Sequence, residues 1–194
     1  MPSIKAAVGT LIVVILLSDC STGYRSVAFD GPLKTLGGPV RLCVTSDRSR
    51  AVTVGSDVLS NSGSQPLIID SLHLRAGKDL TLAGAFLVPI EGKTLLGDGF
   101  TFPPVAGQVQ GDGVRWDLRV NPVGATLRPG PQYATPGKPA PMNLVIGLVS
   151  GLASGGAATG VEIDYHIADQ KFVATSGFAL TVRNQPDSCA RGGY

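Results

Sequence analysis

The sequence predicts an all-β protein, a sandwich of about eight short antiparallel strands. Three observations predict it. Apolar and polar residues alternate with period two in several short runs. Glycine (26 residues) and proline (14) separate those runs, as turns between strands require. No amphipathic helical pattern follows the apolar run near the N-terminus.

The first run, VRLCVT at 40–45, places Val40, Leu42 and Val44 on one face and Cys43 on the other. Further strands are expected over 51–59, 66–75 and 80–89, the first two joined by the turn sequence SNSGSQP. VRWDLRV at 114–120 sets Val114, Trp116, Leu118 and Val120 against Arg115, Asp117 and Arg119, and Trp116 reads as core. NLVIGLV at 143–149 reads as a buried strand, followed by the glycine-rich loop SGLASGGAATG. Gly147, Gly151 and Gly155 also match a small-xxx-small membrane pattern, but the Gly and Ser content after 149 favours turns over a spanning helix. VEIDYHIA turns Val161, Ile163, Tyr165 and Ile167 inward and Glu162, Asp164 and His166 outward. FALTVR aligns Phe178, Leu180 and Val182. Asp98-Gly99 and Asp112-Gly113 are reverse-turn dipeptides.

One apolar and one polar face per strand is the mark of antiparallel sheets packed as a sandwich. Strand number and spacing suit an immunoglobulin-like arrangement, although the Cys…Trp…Cys core signature is absent. The extra length falls in loops near 90–112 and 128–142. The second, RPGPQYATPGKPAP, reads as a crossover within one domain, because the piece after it is too short to bury a core of its own. The expected organisation is a signal at 1–20, a linker at 21–39, one β-sandwich domain at 40–189 and a tail at 190–194.

Lys5 followed by AAVGTLIVVILL at 6–17 has the form of an export signal, and the apolar run is shorter than the roughly 20 residues a bilayer span needs. The box Leu17-Ser18-Asp19-Cys20 resembles that of a bacterial lipoprotein signal, in which the cysteine becomes the lipidated N-terminus. Asp19 departs from the small residue usual there. Lipidation at Cys20, ordinary secretion and an uncleaved anchor all stay open, and each places the domain outside the cytoplasm.

Cysteines stand at 20, 43 and 189. Lipidation of Cys20 leaves Cys43 and Cys189 as a disulfide candidate. No Cys-x-x-Cys occurs, so zinc and redox motifs are unsupported. The net charge of +2, without any block of Lys and Arg, excludes a nucleic-acid surface. Glu162, Asp164 and His166 form a polar ladder, and His73 also points outward. These four are candidate metal ligands, a reading that neighbouring strands would strengthen; the competing reading is the wet face of amphipathic strands, since a site needs convergent ligands and not a ladder. The Gly-Asp-Gly turns at 97–99 and 111–113 lack the ligand spacing of a calcium loop. There is no Gly-x-Ser-x-Gly, Ser-x-x-Lys or His-Glu-x-x-His, so no catalytic residues are assigned and no cofactor is expected.

LVIGLVSG, a glycine-rich turn, GVEIDYHIADQKFVAT, then ALTV and Cys189 resemble a group of uncharacterised secreted or lipid-anchored exoproteins of high-GC Gram-positive bacteria. The resemblance covers about residues 143–189 and implies export and an immunoglobulin-like sandwich, with no activity or site residues to carry over. The expected function is a non-catalytic binding or envelope-structural module. Its partners are the membrane, through the N-terminus, and an unknown protein or envelope component. A metal-binding exoprotein is the alternative, and a secreted hydrolase the third reading.

Overall fold

The computed structural model describes residues 31–36, 40–46, 51–75, 77–91, 95–99, 101–104, 115–151, 155–184 and 189. Cys20 with its signal, Asp112-Gly113, Val114 and the 190–194 tail lie outside the described residues. Nine strands are present among the described residues: β1 (Leu33–Thr35), β2 (Val40–Ser46), β3 (Val52–Asn61), β4 (Leu67–Arg75), β5 (Leu80–Pro89), β6 (Thr126–Leu127), β7 (Met142–Ser150), β8 (Gly156–Ile167) and β9 (Gln170–Asn184). They form two sheets, ordered β1-β3-β7-β5 and β2-β9-β8-β4-β6. All pairs are antiparallel except β2 with β9, which run parallel, with Leu42 opposite Leu180. The expected all-β sandwich is therefore present. Strand β1 lies within the stretch read as a linker, its Leu33 buried and opposite Asn61.

The two sheets pack through the alternating faces that the sequence displays. Leu144, Ile146 and Leu148 of β7 meet Val161, Ile163 and Tyr165 of β8 and Leu180 and Val182 of β9 in one core. Tyr165 is fully buried and stacks on Phe172 at 5.3 Å. Its hydroxyl accepts the Leu33 N–H at 3.3 Å, which anchors β1 across the sandwich. Burial pushes the Tyr165 phenol above its ordinary pKa, and this hydrogen bond opposes that rise only in part.

The four-stranded sheet departs from the half-wet expectation because its outer face is covered too. Val58, Val88, Ile90 and Val145 are buried on that side, outside the central core. The Phe102 ring lies against Gly147 and Gly84, where no Cβ stands in the way. Phe86 stacks on Phe102 at 5.7 Å, and Trp116 meets Phe86 edge-on at 5.3 Å. Gly99 exchanges two backbone hydrogen bonds of 2.9 Å with Thr53. Asn143 fixes the rest of the cover. Its amide nitrogen donates to the Gly55 and Asp57 carbonyls at 2.8 and 2.7 Å, spanning the irregularity in β3, and its oxygen accepts from Leu96 N–H at 2.9 Å. A strand covered on both faces reads as a nearly continuous apolar run, which is why NLVIGLV carries so little polarity.

Over the described residues 115–120 the expected strand does not form. Trp116–Leu118 is a 3-10 turn, and only Val120 pairs, through two 2.9 Å bonds with Leu87. Trp116 packs against the cover, while Leu118 and Val120 are exposed. The 3-10 turn draws Trp116 onto Phe86, so among the described residues the segment bridges β5 only at Val120. Gly147 sits within β7 and Gly155 takes a φ of +89° after it, so the glycine series belongs to a strand and its loop.

Candidate functional site

Strands β4 and β8 are hydrogen-bonded neighbours, so the two histidine-bearing strands lie side by side. Ser71 stands opposite Asp164, His73 opposite Glu162, and Ile68 opposite His166. This outer face of the five-stranded sheet brings the predicted polar residues together in two separate pairs. His73 Nε2 lies 3.1 Å from Asp164 Oδ2, and His166 Nδ1 lies 2.7 Å from Asp70 Oδ1. Asp70 was not among the residues singled out in the sequence. It falls at the irregularity in the β4–β8 register, between Ile69 and Ser71, and lies within reach of His166 there.

Ser71, His73 and Asp164 have the residue types of a hydrolase triad without its geometry. The Ser71 hydroxyl donates to Asp164 Oδ2 at 2.5 Å and lies 3.0 Å from His73 Nε2. Its single proton is committed to the carboxylate, so Nε2 carries the hydrogen in that contact. A triad places the carboxylate on Nδ1 and the hydroxyl on Nε2; here both meet the same nitrogen. The His73 side chain is 63% exposed, so this cluster lies in solvent and not in a cleft.

Among the described residues, no group of three or more His, Cys, Asp and Glu side chains is arranged to hold a metal ion. Glu162, Asp164, His166 and His73 follow the pleat as a ladder, and each histidine meets a different carboxylate. Calorimetric titration with Zn²⁺ is expected to give equal heats for the wild type and His166→Ala. A saturable heat lost in the variant would establish the site.

The concave surfaces lie elsewhere. Leu118, Val120 and Val123 line a cleft of about 510 Å³ with Pro89 and Met142. Leu36, Val58, Ile90, Leu95 and Tyr133 line a second, of about 520 Å³. A smaller one, about 180 Å³, lies under the proline-rich segment beside Asn61 and Leu127. Neither histidine lines any of these three. The first two are lined without a single charged residue, in the size range of ligand-binding clefts. Beside the first, Arg115 binds Glu91 at 3.0 Å and Asp117 at 2.9 Å and holds the Asp117 carboxyl below its ordinary pKa. The Arg119 guanidinium lies 4.9 Å from the Trp116 ring centre.

Cys43 and Cys189 are joined by a disulfide across 146 residues of sequence, with Cα atoms 5.8 Å apart. The Cys189 N–H also donates to Thr45 Oγ1 at 3.3 Å, so Cys189 is held against β2. The bond points to an oxidising, extracytoplasmic setting. Among the described residues, no helix is long and apolar enough to cross a membrane. In comparisons with known proteins, the sequence matches no family model and no curated protein.

Proposed function

We propose that this protein is an exported, non-catalytic binding or structural module of the bacterial envelope, held at the membrane through Cys20. The observation that carries the reading is the Cys43–Cys189 bond. It uses two of the three cysteines, supports export, and leaves Cys20 for a lipid. The non-catalytic part is supported by the distribution of chemistry. Polar titratable groups lie on an exposed strand face, whereas the two larger clefts have uncharged walls. A catalytic centre instead converges nucleophile, base and charge-stabilising donors in one concavity.

An immunoglobulin-like connectivity is the finer reading of the fold. With β2 and β6 set aside, the remaining seven strands divide as first-second-fifth-fourth and third-sixth-seventh. That division matches the ABED and CFG sheets of constant-type domains. The disulfide departs from that pattern, since it ties β2 to the segment after β9 and does not cross between sheets.

The test is the intact mass of the protein extracted from its own membranes. A species beginning at Cys20 and carrying diacylglycerol is expected, gaining about two daltons when its one disulfide takes up two hydrogens on reduction. A lipid-free species beginning after Cys20 would overturn the tether and move the search to soluble ligands.

A further inference from the structure

We propose that the end of the sandwich where the N-terminal leader enters is a docking face for an anionic lipid bilayer. The inference rests on the tethered reading above for its orientation. Leu33 begins β1 opposite Asn61, at the end of β3. The Asn61 side chain donates to the Leu127 carbonyl at 2.9 Å, and Gly130 N–H donates to the Asn61 carbonyl at 3.0 Å. The start of β1 therefore lies beside residues 127–130. From Cys20 to Leu33 the chain spans at most about 45 Å fully extended, so a lipid on Cys20 holds this end within that distance of the bilayer.

The same end carries the exposed apolar surface. The large hydrophobic side chains exposed among the described residues are Ile68, Leu95, Leu118, Val120, Val123 and Tyr133. Ile68 pairs with Thr126 of β6, and Gly124 N–H donates to the Ile69 carbonyl at 2.8 Å, which seats Val123 at the start of β4. Leu118, Val120 and Val123 share one cleft with the end of β5 and the start of β7. Tyr133 and Leu95 share the neighbouring cleft. The opposite end is polar, with Arg75, Lys78, Asp79 and Arg183 exposed. Apolar side chains clustered at one end of a domain mark an interaction surface.

Charge selects the bilayer. Arg119 and Arg128 are exposed beside the apolar strip. Glu91 and Asp117, on the same side, are both engaged by Arg115. On the other rim Asp70 is paired with His166, and Lys171, at the start of β9, follows Asp169 of the β8–β9 turn. Lys138 adds a cation on the proline-rich segment. Among the described residues this end thus carries six cations, Lys34 included, against four acids. Guanidinium groups suit phosphate oxygens, while Leu and Val side chains enter the headgroup–acyl boundary.

Trp116, the single tryptophan of the chain, lies in the same 3-10 turn as Leu118 and reports on this face. The experiment uses the full chain and vesicles of brominated phosphatidylglycerol or brominated phosphatidylcholine. Trp116 emission is expected to be quenched several-fold more by the anionic lipid, and the quenching to disappear in Leu118→Glu/Val123→Glu. Both positions are exposed, so the variant is expected to unfold at the wild-type temperature. Absence of quenching in the wild type, quenching that survives the double substitution, or equal quenching by both lipids overturns the proposal. Vesicle flotation reads the N-terminal attachment separately. A chain that floats without Trp116 quenching keeps the tether and loses the docking face.

Discussion

Replacing Cys43 with serine is expected to lower the unfolding free energy by about 5 kcal/mol, the chain-entropy figure for a loop of this length. The bond spans 146 residues, so its loss frees nearly the whole domain in the unfolded ensemble. Domains of ordinary stability have roughly 5–15 kcal/mol to lose. The native state suffers as well. Among the described residues, strand β2 is an edge strand paired with β9 alone, through a parallel ladder. Denaturant unfolding of wild type, Cys43→Ser and Cys43→Ser/Cys189→Ser measures the effect. The single and double variants are expected to agree within about 0.5 kcal/mol, because both remove the same bond. Reduced wild type is expected to match them. A loss below about 1 kcal/mol would mean that the unfolded chain is already compact without the bond.

Much of this architecture was legible because it is local. In β8 the inward Val161, Ile163 and Tyr165 and outward Glu162, Asp164 and His166 follow directly from the pleat. The disulfide followed from counting cysteines in a chain that looks exported. The contacts of the polar face were illegible because pairing is not local: Ile69 meets Tyr165 across 96 positions, and nothing short-range fixes that register. Asp70, lying between Ile69 and Ser71, was therefore missed. The segment 114–120 misled for a different reason. Its alternation is real, but Leu118 and Val120 face outward, with Val120 paired to Leu87 and Trp116 turned onto Phe86. Period two reports which residues share a side, not whether that side is covered.

Gly160→Ala is expected to destabilise the protein by about 4 kcal/mol, combining roughly 1–3 kcal/mol of backbone strain with a similar cost of steric overlap. Gly160 has a φ of +141°, and a Cβ there would overlap the Ser176 carbonyl oxygen. The residue sits where the β8–β9 register shifts by one, between Ala158 and Gly160. Across that point the inward-facing set of β8 changes from even positions, with Ala158 buried, to odd positions, with Val161, Ile163 and Tyr165 buried. The irregularity thus fixes which side chains enter the core and which form the exposed polar ladder. Gly177, opposite Gly160 on the same ladder, is the control: nothing lies within 4 Å of a Cβ added there. Gly177→Ala is expected to stay within about 1 kcal/mol of wild type. Equal effects at the two positions, read by chemical denaturation, would show that general strand flexibility governs this ladder. A large loss at Gly160 alone would show that the core of β8 depends on the one residue whose backbone permits the shift.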